Sequence, residues 1–202
     1  MNRPETTKWL SKLLEEHIDP KNDPRVYWAK EVTFDYGSIA PIRVDYMQFK
    51  PVNNSVSGIE KGDVYCYEIK SSVEDFHSKN GHNMIGDFNY YVMPLEVYEK
   101  VMDEIPYSVG VMHNAEYLNL LGQMETGLVT AKRAKRKERT RPLSEMLLMM
   151  WRSSRREIVK ERKAVNRNAI DRRRCNYQKP ARNHGDNVLL DNPRIEETHE
   201  HR

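Results

Sequence analysis

Cysteine is nearly missing from this chain: Cys66 and Cys175 are the only two in 202 residues. They sit in unlike contexts and suggest no disulfide framework, so a reducing, cytoplasmic compartment is expected. Neither has a His/Asp partner set that would argue for a nucleophile, and Cys66 reads as a small strand residue. Long apolar runs are absent as well. Nothing approaches the roughly 18 residues that a membrane span needs, so no membrane partner is expected. The N-terminal stretch MNRPETTKWLSKLLEEH has no apolar core or small-residue cleavage site and does not read as a signal peptide. No P-loop or GxGxxG occurs, which excludes a nucleotide-driven motor, and no internal repeat is visible. The residues that are present, 38% hydrophobic and 31% charged with a mean hydropathy of −0.84, fit one globular domain with a highly charged appendage.

The net charge of +3 hides a division. Residues 1–131 hold 12 Lys/Arg against 20 Asp/Glu, residues 132–174 hold 17 against 5, and the last 28 residues hold 4 against 5. An acidic front domain followed by a concentrated basic segment points to a polyanionic partner, most simply DNA. The alternative is a solvated helix that shields the acidic domain. The densest run, Lys132, Arg133, Lys135, Arg136, Lys137, Arg139 and Arg141, would track phosphates without reading sequence.

Hydrophobic periodicity predicts a helix over Thr6–Ile18, capped by Thr6 or Thr7, with Trp9, Leu10, Leu13, Leu14 and His17 on one stripe. Glu16 lies at the border of that stripe and Glu15 faces away. Three strands follow, Val26–Phe34, Ile39–Gln48 and Asp63–Lys70, expected as an antiparallel meander. Ser72 and Asp75 form a capping pattern for a short helix that Asn80–Gly81 would interrupt. Phe88–Met93 reads as a strand, Leu95–Glu104 as a helix, Tyr107–Met112 as a strand and Gly127–Ala131 as a short one at the sheet edge. The order implies an α/β sandwich around a mixed sheet. Leu143–Val165 reads as a long basic amphipathic helix whose Met-rich stripe packs on the domain or on a partner. From 176 onward periodicity vanishes and a disordered tail is expected. The expected divisions are 1–131, 132–175 and 176–202.

One conflict stands out. Alternation places Val64, Cys66, Glu68 and Lys70 on one face of the third strand, and a half-buried strand rarely spends two inward positions on charge. They are either a solvent-facing pair or a site. Asp45, in PIRVDYMQF on the preceding strand, can lie beside that end. Two close carboxylates repel unless a cation separates them, and Mg²⁺ or Mn²⁺ would suit. A lysine alongside could orient or deprotonate the attacking water and stabilise a pentavalent phosphate, the needs of metal-assisted phosphodiester hydrolysis. A helix start directly behind Lys70 would favour phosphate as well.

The segments RVDYMQF, YEIKSSVEDF, FNYYVMP and IPYSVGVM resemble the MmcB-like DNA-repair branch of the PD-(D/E)XK nuclease superfamily and hypothetical phage and prophage proteins of that branch. The resemblance spans roughly Val26 to Ala131. It implies a restriction-endonuclease-like αβββαβ core with a mixed central sheet, to which the basic amphipathic helix is appended. It implies Asp45 and Glu68 as metal ligands, the Ile69 backbone carbonyl as a further ligand, Lys70 as the catalytic lysine, and Glu16 in the place of an extra helix acid. The chain departs from the pattern in the long PVNNSVSGIEKG insertion, read as a hairpin extension, and in HSKNGHNMIGDF, where close relatives carry Lys-Trp and Tyr.

Other residues carry less. His77 and His82 near Asp75 and Asp87 could suggest zinc, but without cysteine partners they read as polar surface positions. Tyr90 and Tyr91 could stack bases, yet they point to opposite faces and strand packing accounts for both. The expectation is therefore a Mg²⁺- or Mn²⁺-dependent endonuclease-like hydrolase acting on DNA, with a homodimer left open. Its rivals are a non-catalytic nucleic-acid-binding protein of the same fold, and a phage interaction protein using the Met-rich helix.

Overall fold

The computed structural model describes residues 2–119 and 121–177. The chain divides into two compact units, Met1–Lys160 and Glu161–Arg202. The first unit thus runs past the expected boundary at 131 and takes in the basic segment and the first turns of the long helix. The tail expected from 176 lies outside the described residues except for its first two positions.

The first unit is built on one six-stranded mixed sheet in sequential order: β1 (Tyr27–Phe34), β2 (Ile42–Lys50), β3 (Asp63–Ile69), β4 (Phe88–Met93), β5 (Gly110–Leu118) and β6 (Met124–Lys132). β1, β2 and β3 form the expected antiparallel meander. β4 then runs parallel to β3 and β5 parallel to β4, and β6 returns antiparallel at the edge. The edge strand is longer than its turn-rich sequence suggested, because it pairs with β5 from Leu118↔Met124 to Val111↔Lys132.

Helix α1 (Arg3–Ile18) begins earlier than the Thr6–Thr7 pair would place it. Asn2 caps it, accepting from the Glu5 N–H at 3.0 Å while the Glu5 carboxylate accepts from the Asn2 N–H at 3.1 Å. In the insertion between β2 and β3 the chain forms a short helix, α2 (Val56–Glu60), capped by Ser55. The β3–β4 crossover starts with α3 (Val73–Phe76), capped by Ser72, and continues from His77 to Asp87 without regular structure. The β4–β5 crossover carries α4 (Leu95–Val101) and a 3₁₀ turn. Helix α5 spans Leu143–Tyr177.

Two faces of the sheet are covered. On one, Leu10, Leu14 and Ile18 of α1 pack on Tyr46, Tyr67, Ile69, Val92 and Met112. On the other, Met146 and Met150 of α5 join Ala29, Val44, Met47, Val64 and Cys66. Farther along that second face, α4 packs on Tyr91, Met93 and Val111. The methionine stripe therefore belongs to the core, and burying each such side chain is worth about 1.5–3 kcal/mol. Tyr90 and Tyr91 do face opposite ways, one in each layer.

β1 and β2 share a local irregularity. Ala29, Val32, Val44 and Met47 all belong to the same buried cluster, so the inward face slips by one residue on both strands at Glu31 and Asp45. Glu31 absorbs the slip with a left-handed φ of 52°. Its carbonyl accepts from the Arg156 guanidinium at 2.6 Å and from the Ser153 hydroxyl at 3.3 Å, which fixes α5 to the kink.

Candidate active site

Glu68 and Lys70 stand at the C-terminal end of β3, on the face shared by α4 and α5, in the gap between the two clusters those helices cover. Each is only 1% exposed. The β2–β3 ladder ends at Tyr46↔Tyr67. One step farther, Asp45 replaces a ladder carbonyl: its Oδ2 accepts from the Ile69 N–H at 2.9 Å. The strands part here, and the phase slip at Asp45 lets its carboxylate look out of the sheet's rim.

The electrostatics are strained at Glu68. Both carboxylate oxygens are buried, and among the described residues neither has a donor at regular hydrogen-bond geometry, although the Asn83 N–H and side-chain amide come close enough to favour the charged form. Burial above all, then the charge of Asp45, pushes the group up to about 9, opposed by Lys70 and by the nearby Asn83. Asp45 is also raised by burial, against the pull of the Ile69 N–H, Arg43 and Lys70. Lys70 is lowered by burial, and the charges of Asp75, Glu68 and Asp45 oppose that shift. Its ammonium donates to the Asn80 carbonyl at 2.6 Å and the Asp75 carbonyl at 3.3 Å, and lies 3.4 Å from His82 Nε2. Asp75 is itself held by Arg3 and by the Ser71 N–H and hydroxyl.

Asp45 and Ile69 line a cleft of about 780 Å³, together with Glu15, Lys30, Arg43 and Tyr46. Glu68 and Lys70 do not line it. Glu16 is not brought to the cleft; it is exposed and pairs with Lys12 at 3.6 Å. Glu15 is the helix acid that faces it, accepting from the Tyr46 hydroxyl at 2.7 Å and meeting Lys30 at 3.4 Å. The two glutamates flank the apolar stripe on opposite sides. Periodicity sets Glu15 facing away and Glu16 at the border; the burial of Ile18 widens the stripe toward Glu15, which is the one that meets β1 and β2.

The basic run after β6 lies elsewhere. Residues 133–142 form a strap across the N-terminal ends of β3, β4 and β5, with the N–H groups of Lys135, Lys137 and Thr140 donating to the carbonyls of Ser108, Asp87 and Ile85. From Val64 to Lys70 the strand itself covers roughly 20 Å, so strap and candidate site sit at opposite ends. Most of the basic side chains are engaged. Lys132 donates to the Ile105 and Pro106 carbonyls, and Lys137 to that of Met84. Arg136 pairs with Asp63, and Arg139 with the buried Asp87 and the Gly62 carbonyl. Arg141 pairs with Asp35 and Glu145 over the Phe34 ring. Arg133 and Lys135 are exposed and have no ion pair among the described residues, Lys135 lying over Tyr107.

His77 and His82 are not brought to a common ligand set: His77 is exposed and meets Glu104 at 2.9 Å, and His82, also exposed, sets its ring against Phe76 and Tyr91. Among the described residues no group of three or more His, Cys, Asp or Glu side chains converges as a metal cage. Two carboxylates, a carbonyl and waters are nonetheless a sufficient set for Mg²⁺. Compared with protein families, curated proteins and solved structures, the chain finds no match.

Proposed function

We propose that the protein is a Mg²⁺- or Mn²⁺-dependent nuclease that hydrolyses DNA phosphodiester bonds in the cytoplasm, in phage or prophage DNA processing or repair. The observation that carries the reading is the Glu68 carboxylate: buried beside Asp45, with no donor at regular hydrogen-bond geometry among the described residues and only Asn83 close by, it is a group a hard cation would satisfy. The strand order supports the restriction-endonuclease-like αβββαβ reading, since a meander of three strands is followed by a helix crossover to a parallel fourth.

In this reading Asp45, Glu68 and the Ile69 carbonyl hold the ion, which supplies Lewis-acid stabilisation of the phosphate in the transition state. Asp45 is oriented by the Ile69 N–H and can receive a ligand from the cleft side. Lys70, its proton affinity weakened by burial, orients the attacking water or takes its proton, and as an ammonium stabilises the pentavalent phosphate. Arg43 at the cleft, and Arg133 and Lys135 at the far end, offer phosphate contacts. The strap's other basic side chains serve DNA only by releasing internal partners.

One observation favours a second reading, a nucleic-acid-binding protein of the same fold without catalysis: Glu68 and Lys70 are covered and do not line the cleft. Incubating plasmid and single-stranded DNA with Mg²⁺ or Mn²⁺ separates the two, comparing wild type with Lys70→Ala and Asp45→Asn. Cleavage by wild type that both substitutions remove supports the nuclease. Cleavage that survives both, or salt-sensitive binding without cleavage under either metal, rejects it.

A further inference from the structure

The cover over Glu68 and Lys70 is the irregular part of the β3–β4 crossover. At Gly81 the backbone comes so close that an added Cβ would lie 3.0 Å from Lys70 Nζ and 3.1 Å from Glu68 Oε2. Gly81 also has a φ of +69°, so only glycine fits without strain. The preceding Asn80 carbonyl occupies the Lys70 ammonium.

The crossover is anchored unevenly. Downstream, Ile85 is in the core, the Gly86 N–H donates to Asn89, and the strap holds the carbonyls of Met84, Ile85 and Asp87. Upstream, the backbone-to-backbone bonds of Ser78–Asn83 are local turns, Ser78 N–H to Asp75, with Met84 and Ile85 N–H returning to His82 and Asn83. Its main chain reaches the sheet only through the site residues themselves, the Asn80 carbonyl to Lys70 and the Asn83 N–H toward Glu68. What holds this half down is a few side-chain bonds. His82 Nδ1 meets the Tyr91 hydroxyl at 2.6 Å, its Nε2 meets the Ser78 carbonyl at 2.9 Å, and the Asn83 amide donates to the Arg43 carbonyl at 2.8 Å.

The geometry points to a gate: Ser78–Asn83 blocks Glu68 and Lys70 in the closed state and must lift, hinged at Met84, before a divalent cation can join Asp45 to Glu68. This rests on the reading of Asp45, Glu68 and Lys70 as a metal-dependent site. The closed form gives the Lys70 ammonium an acceptor at the Asn80 carbonyl and sets only Asn83 of the covering segment near Glu68 as a donor, at less than regular geometry. The open form exposes Glu68 to the cation, at the cost of the Asn80, His82 and Asn83 bonds. Cation and gate therefore compete for the same space, and apparent metal affinity is the intrinsic affinity scaled by the open fraction.

The test is Mn²⁺ titration of the full chain by calorimetry for wild type, His82→Ala, Asn83→Ala and Glu68→Gln, with circular dichroism as the fold control. Hydrogen exchange of the 79–83 amides with and without saturating Mn²⁺ gives a second readout. Each gate substitution removes a hydrogen bond of the closed form only, so it should tighten Mn²⁺ binding about fivefold. Mn²⁺ should also speed exchange across 79–83. Unchanged affinity in both gate variants, together with unchanged exchange, overturns the gate while leaving the site intact if Glu68→Gln still abolishes binding. Mn²⁺ binding that Glu68→Gln does not weaken in any background overturns the site reading itself, and the gate with it.

Discussion

Glu68 and Asp87 are both buried carboxylates, placed at opposite ends of β3, and their surroundings are opposites. Asp87, 2% exposed, accepts from the Val64 N–H at 2.8 Å, meets Arg139 at 3.3 Å and has Arg136 at 3.7 Å. Glu68, 1% exposed, has no ion pair and no donor at regular hydrogen-bond geometry among the described residues, only Asn83 lying close. A carboxylate buried to hold a fold together comes with its donors, because an uncompensated charge costs several kcal/mol. At the end of β3 near Asp87 the carboxylate is paired between strap and sheet, although one nitrogen of its partner, Arg139 Nη1, is buried without a hydrogen bond among the described residues. The end that carries Glu68 lacks such donors, and the proposed cation would take their place there.

That contrast can be broken at either end. The largest effect is expected from the site: Glu68→Gln or Asp45→Asn should lower Mg²⁺-dependent cleavage by about 10³-fold or more, read as initial rates on plasmid. Retained rates in both would make Glu68 an unexplained buried acid.

Next is the pH dependence of stability. With no cation bound, burial pushes Glu68 up to about 9 in the folded state, whereas the unfolded chain releases that proton near its ordinary 4.5. The folded pKa is raised, so stability present at acid pH is lost as pH rises between those values. The loss should be about 3–4 kcal/mol from pH 5 to pH 8. Urea melts in EDTA at the two pH values measure it, and Glu68→Gln should flatten the slope. Asp45, raised in the same direction, adds to it.

At the other end, Arg139→Ala should destabilise by about 2–4 kcal/mol at neutral pH, by stranding Asp87. A change below half a kcal/mol would mean that Asp87, though buried, is only weakly coupled to Arg139. The smallest effect concerns DNA. Arg133→Ala and Lys135→Ala should each reduce the slope of log affinity against log salt by about 0.9 if they contact phosphate, as seen in filter-binding titrations. The same substitution at Arg136 or Arg141 should act on stability first.

Much of this architecture was legible before the structure. Strand alternation put Val64, Cys66, Glu68 and Lys70 on one face, and the meander followed from short turns between β-rich runs. The Met stripe of α5 was readable because its spacing follows one helical face. Three things were not. The slip at Glu31 and Asp45 is a paired backbone event with no marker in composition, since a left-handed glutamate looks like any other in sequence. The choice between Glu15 and Glu16 depends on which flank of α1 meets β1. The fate of the basic run depended on acids distant in sequence: Asp63, Asp87 and Asp35 neutralise what looked like a free polycation. Charge density marks a polyanion site only when the fold leaves the charges unspent.

The strap also changes what a protease would meet. Seven lysines and arginines in ten residues are, by composition, the most trypsin-sensitive stretch of the chain. Yet its backbone is bonded to Ser108, Asp87 and Ile85, and Lys132, Lys137 and Arg139 donate to main-chain carbonyls. Cleavage needs a strand of backbone drawn into the enzyme's own groove, which here means first peeling the strap from three strand ends. The run that looks like a cut site between two domains is a seam within one.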